Sequence, residues 1–144
     1  MTTEPRQLYQ IRMSVGASRI IFAGYALFLG GIIYLANHGG GHWWSFITDL
    51  PCGDKLGHLG LVATLTFLLN LALRGRRAPG KLSGIMLGSL LVAIFMSLEE
   101  CSQAMFPSRS LDLLDGLANL AGVVVGDLAA RRALGRRQVR AVTS

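Results

Sequence analysis

The chain has 144 residues, 51% of them hydrophobic and only 15% charged, with a formal net charge of +6 at pH 7 and a mean hydropathy of +0.47. Soluble domains carry about 25% charged residues, so this deficit points to a membrane, and the length allows one compact unit. The apolar content, the unperiodic glycines and the two cysteines exclude a disordered chain, collagen and a disulfide-dense miniprotein.

In chain order, Arg6, Arg12 and Arg19 precede an uncharged run of seventeen residues, 20–36, closed by Asn37, His38 and three glycines. That run exceeds the usual 7–15 apolar residues of a signal peptide and is followed by no small-x-small cleavage pattern, so it reads as a retained anchor. Residues 57–73 form a second run, interrupted only by His58, two threonines and Asn70. Residues 82–98 are a third, and 111–130 a fourth that carries Asp112, Asp115, Asn119 and Asp127. A span needs about 17–25 residues, so all four qualify, the first three narrowly. Four buried core helices of a soluble protein would leave too little polar face to dissolve a chain this short. The expected fold is all-α, an integral membrane bundle of four transmembrane helices.

Lys and Arg alternate along the chain. The N-terminal tail holds three, the 37–56 loop one (Lys55), the 74–81 loop four, the 99–110 loop one (Arg109) and the C-terminal tail five. Twelve against two places both termini in the cytoplasm under the positive-inside rule. The expected organisation is a basic tail over 1–19, a membrane domain over 20–130 and a second basic tail over 131–144. The basic excess is then topology and contact with anionic lipid, and no aromatic–basic interleaving suggests nucleic acid.

Six of the eight acidic residues (Asp49, Asp54, Glu99, Glu100, Asp112 and Asp115) fall in or beside the two outer loops, with Lys55, His58, Gln103, Arg109 and Asn119. An ionisable group within a span costs about 2.5–3.5 kcal/mol on insertion scales, so such groups need partners and usually a purpose. Asp54 and His58, four apart, share a helix face, where the carboxylate can fix the imidazole tautomer; the alternative role for Asp54 is an acid at a helix N-terminus. Glu100 and Gln103 share a face, and Glu99 is expected to point away, toward headgroups or water. Phe106-Pro107 breaks the helix. Asp112, Asp115, Asn119, Gly122 and Gly126 form one stripe, polar then glycine, with a ladder from Ala118 to Ala130 that lets backbones meet; Gly80, Gly84 and Gly88 offer a similar ladder. Asp112 and Asp127 read as capping or interfacial acids, and Asn70 and the basic 74–81 loop as ordinary topology features. His38 and His42 flank a glycine loop and read simply as loop residues. Cys52 and Cys101 fall at the outer ends of adjacent spans, where a disulfide is permitted but two buried, unpaired thiols are favoured.

The run Asp54-Lys55-x2-His58, then Glu100-x2-Gln103-x5-Arg109-x5-Asp115-x3-Asn119-x2-Gly122-x3-Gly126, resembles the VanZ-like family over about half of the chain. The resemblance implies a small multi-pass protein of the bacterial cytoplasmic membrane, of a family associated with lowered susceptibility to the glycopeptide teicoplanin; it brings no assigned biochemical activity. One departure is visible: Leu59-Gly60-Leu61-Val62-Ala63 lacks the aromatic that members often carry after the motif histidine.

Bringing the outer ends together would assemble Asp54, Lys55, His58, Glu100, Gln103, Arg109, Asp115 and Asn119 under a loop anchored by Trp43 and Trp44. Three readings follow. The first is a site for an envelope lipid or lipid-linked precursor, with Arg109 as a forked donor to phosphate or carboxylate and Lys55 as a point charge. The second is an intramembrane enzyme with catalytic candidates His58, Glu100 and Asp115, in which His58 held by Asp54 is the base and Arg109 stabilises developing charge. The third is a purely stabilising polar network. No serine or cysteine sits in a nucleophile motif and no cofactor is expected. A metal held by His58, Glu100 and Asp115 is geometrically conceivable, but without an HExxH or cysteine-pair motif none is expected. The expected partners are membrane lipids; the small four-span drug exporters fit poorly, because no acid lies in the first span.

Overall fold

The computed structural model describes residues 5–48, 50–106 and 112–142, and every regular element in it is helical. Helix α1 spans Pro5–Asn37, the one-turn α2 Ser45–Thr48, α3 Gly53–Ala72, α4 Leu87–Gln103 and α5 Leu113–Val142, with short 3-10 turns at Gly40–Trp44 and Gly80–Leu82. Three stretches are long and apolar enough to cross a membrane: Gly16–Asn37 of α1, α3, and Leu113–Gly135 of α5. The chain is thus a multi-pass helical membrane protein. At 17 residues α4 is about 26 Å long, just under a hydrocarbon core of about 30 Å.

The helices differ from the apolar runs in ways that backbone chemistry explains. Helix α1 begins well before residue 20 and α5 continues past 130, so much of both basic tails is helical. Helix α3 starts at Gly53 rather than 57, which brings Asp54 and Lys55 into its first turn. It closes on Arg74 and Gly75, both at positive φ, with the Arg74 N–H on the Leu71 carbonyl and the Gly75 N–H on the Asn70 carbonyl. This is a Schellman end. Helix α4 starts five residues later than its apolar run, because Arg77 and Met86 form an antiparallel bridge and the Leu87 N–H bonds back to the Arg76 carbonyl at 2.7 Å. Residues 82–86 are therefore turn and bridge, and the helix instead carries Glu99, Glu100 and Gln103 on its last turns.

Helix α3 is the centre of the bundle, and its most extensive contact is with α5. Glycine makes that contact possible. A Cβ at Gly122 would lie 2.7 Å from the Leu59 carbonyl oxygen, and one at Gly126 would overlap the Ala63 carbonyl. Of the other ladder, only Gly88 is pressed against a neighbour, Asn70 of α3, while Gly80 and Gly84 face open space. The core is small: Leu29, Val62, Leu65, Val92, Met96 and Val123. Leu27, Ile94, Leu98 and Leu117 lie exposed on the outside, the pattern of helices that face lipid.

Helix α1 packs chiefly on α3, and α4 joins α3 from another side. Between α1 and α4 a groove runs over α3. One half, of about 250 Å³, is lined by Phe22, Ala26, Gly30, Leu69, Leu91 and Phe95; the other, of about 1140 Å³, shares Leu29 and Ile33 with it and reaches Asp54 and His58.

Candidate functional site

The C-terminal ends of α1 and α4 and the N-terminal ends of α3 and α5 meet at one end of the bundle, and the acids predicted to gather do gather there. Asp112 starts α5 as its N-cap, its Oδ1 accepting the Leu114 N–H at 2.8 Å, and its own N–H reaches Glu100 Oε1 of α4 at 3.3 Å. Lys55 of α3 points its ammonium at three carboxylates: Asp115 Oδ1 at 2.6 Å, Asp112 Oδ2 at 2.7 Å and Asp54 Oδ2 at 3.1 Å. The hydrogen bond from Lys55, seconded by the Leu114 N–H, holds the Asp112 carboxyl below its ordinary range.

His58 sits one turn deeper on α3. Its Nδ1 lies 3.0 Å from Oδ1 of the buried Asn119 and donates to it, which turns Nε2 to the opposite side of the ring. That Nε2 faces Asp115 Oδ2 at 3.7 Å and Asp54 Oδ1 at 3.8 Å, both too long for hydrogen bonds. The tautomer is therefore set by Asn119, not by Asp54 as the i, i+4 spacing suggests. Asn119 leaves its own Nδ2 buried without an acceptor among the described residues.

Glu99 does not point outward. It is buried like Glu100, and Gln103 Nε2 donates to both, at 3.1 Å to Glu99 and 3.2 Å to Glu100. Burial on α4 falls at Val92, Met96, Glu99 and Gln103, a stripe that includes Glu99 as naturally as Glu100. Seven of the eight predicted site residues thus converge on one end of the bundle; Arg109 and Asp49 lie outside the described residues. Trp43 is exposed beside the groove, as an interfacial anchor would be, and Cys52 and Cys101 are exposed, unpaired thiols.

A second polar cluster, taken in sequence for ordinary topology features, holds the opposite end. Asn70 of α3 donates to Ser89 Oγ of α4 at 2.8 Å, Ser89 donates to Asp127 Oδ1 of α5 at 2.6 Å, and Arg131 pairs with Asp127 while donating to the Gly84 carbonyl. Three helices are tied through one serine hydroxyl. Buried polar chains of this kind fix helix register.

Comparison of the chain with protein families, curated proteins and solved structures returns no match.

Proposed function

We propose that the chain binds an amphipathic membrane ligand, an envelope lipid or lipid-linked precursor, with its head in the polar cluster and its chain along the groove between α1 and α4. The observation that carries this reading is the groove's polarity: apolar walls from Phe22, Leu91 and Phe95 at one end, and Asp54, His58, Glu99, Gln103 and Asp115 at the other. A lipid has that division of chemistry along its length. A network serving only stability has no use for a cavity of about 1140 Å³ at its side. In this reading α4 is a fourth span, both termini are cytoplasmic and the site faces the outer side of the bacterial cytoplasmic membrane. The twelve-to-two charge alternation supports that topology, and Arg74, Arg76, Arg77, Lys81, Arg131 and Arg132 belong to the end opposite the site. The resemblance to the VanZ-like family extends the reading to altered glycopeptide susceptibility through the bound precursor.

A second reading, catalysis on the bound amphiphile with His58 as base and Glu100 as acid, draws on the position of the His58 ring beside the groove. It would show as chemical conversion of the retained ligand.

The test fills the groove without touching the cluster. Gly30 lines the apolar half and a Cβ there meets nothing within 4 Å, so Gly30→Phe places its ring in that half. Full-length protein in mild detergent should retain lipid visible by native mass spectrometry. Gly30→Phe should lose most of it at an unchanged melting temperature, and Leu27→Phe on the exposed face of α1 should keep it. Equal lipid retention by Gly30→Phe and the parent would overturn the proposal.

A further inference from the structure

We infer that Asp54, His58 and Asp115 form a site for a divalent transition-metal ion of the Zn²⁺ type. This inference stands on the ligand geometry and does not depend on the lipid reading.

One nitrogen and two carboxylate oxygens converge from two helices, and the three ligating atoms lie within 4.8 Å of one another. His58 Nε2 stands 3.7 Å from Asp115 Oδ2 and 3.8 Å from Asp54 Oδ1. In a tetrahedral site with bonds of about 2 Å the ligand atoms stand about 3.3 Å apart, so the two edges from His58 Nε2 close with a contraction of a few tenths of an ångström. The two carboxylate oxygens facing one ring nitrogen concentrate negative charge where a bound cation would sit.

The surroundings already have the form of a second shell. A ligating histidine donates its other ring N–H to a neighbouring acceptor, which fixes the tautomer and the ring plane. Asn119, only 4% exposed, does this for His58, and its Nδ2 is buried without an acceptor. Its amide is committed to the ring and not to a hydrogen-bonded fold network.

Lys55 complements the site instead of filling it. Its ammonium takes Asp54 Oδ2 and Asp115 Oδ1, leaving the other oxygen of each carboxylate, Oδ1 and Oδ2, turned toward His58. Both acids are thereby oriented by a partner on their far side. The mixed imidazole and carboxylate donors suit Zn²⁺ or Mn²⁺ better than Ca²⁺ or Cu⁺. Three protein ligands leave at least one coordination position open, and all three residues line the larger half of the groove.

The experiment is a Zn²⁺ titration of chelator-treated, lipid-stripped, full-length protein in detergent, read by competition with a chromophoric chelator, with Co²⁺ absorption reporting on the ligands. The parent should bind one equivalent saturably. His58→Gln should abolish binding. Asp54→Asn changes a half-exposed side chain and should weaken binding at least tenfold. Asn119→Ala, with all three ligands intact, should weaken it about 10–100-fold, the usual effect of losing an outer-shell partner. The loop double variant His38→Ala/His42→Ala should bind like the parent. Absence of saturable binding in the parent, parental affinity in Asp54→Asn, or loss of binding in the loop variant would each overturn the inference. Because the sample carries no lipid, these results are separate from those of Gly30→Phe.

Discussion

Asn119 on α5 accepts the Nδ1 proton of His58 on α3 across 3.0 Å, which makes one polar contact between two helices responsible for the orientation of the ring. Removing the amide should release the imidazole to the other tautomer and to solvent protonation. In metal-free Asn119→Ala, the nitrogen chemical shifts of the His58 ring should move from a single Nδ1–H tautomer toward a mixture. The loss of one buried hydrogen bond should also lower stability by about 1–2 kcal/mol. Unchanged shifts would mean that another group holds the ring.

Gly122 and Gly126 of α5 face backbone carbonyls of α3, so they tolerate no side chain. Gly126→Ala should push the two helices apart and lower stability by about 1–3 kcal/mol, seen as a lower melting temperature in detergent. Gly116, on the same helix with nothing within 4 Å, is the control. There Gly→Ala should be neutral or stabilise by up to about 1 kcal/mol through helix propensity alone. Equal effects at the two positions would remove the close-approach argument.

The Asp112 carboxyl titrates below its ordinary value of 3.8, held down first by the hydrogen bond from Lys55 and then by the Leu114 N–H. A carboxyl whose folded pKa is depressed contributes stability in full above the unfolded value and loses it as pH falls through the folded one. The melting difference between the parent and Asp112→Asn should therefore be flat from pH 7 to about 5 and shrink only below about 3.8. A difference that already shrinks between pH 7 and 5 would assign the contact to another group.

Sequence alone carried the stripe Asp115, Asn119, Gly122 and Gly126, because helical spacing fixes direction and all four are buried on one face. It turned Glu100 inward with Gln103 and sent Glu99 outward, which the buried Glu99 corrects. The two are about 100° apart, and only the burial stripe through Val92, Met96 and Gln103 shows that both turn inward. Hydropathy placed the third run at 82–98 because it weighs side chains alone, whereas the Arg77–Met86 bridge is a backbone feature with no apolar signature. Asn70 and Asp127 looked incidental for a related reason. The hydroxyl that joins them belongs to Ser89, and nothing in the spacing of residues 70, 89 and 127 brings the three together before the helices pack.

The one-sided docking of α1 bears on what the groove can discriminate. The α3, α4 and α5 helices are fastened at both ends, by the Lys55 cluster and by the Asn70–Ser89–Asp127 chain, while α1 leans mainly on α3. The wall that α1 contributes can therefore shift by small amounts without breaking either polar cluster, and the apolar half of the groove is correspondingly adaptable in width. The Asp54, His58 and Asp115 end has no such freedom, being set by the fixed separation of α3 and α5. For the amphipathic ligand proposed, acyl length and saturation should then matter far less to binding than the chemistry of the first few atoms at the polar end.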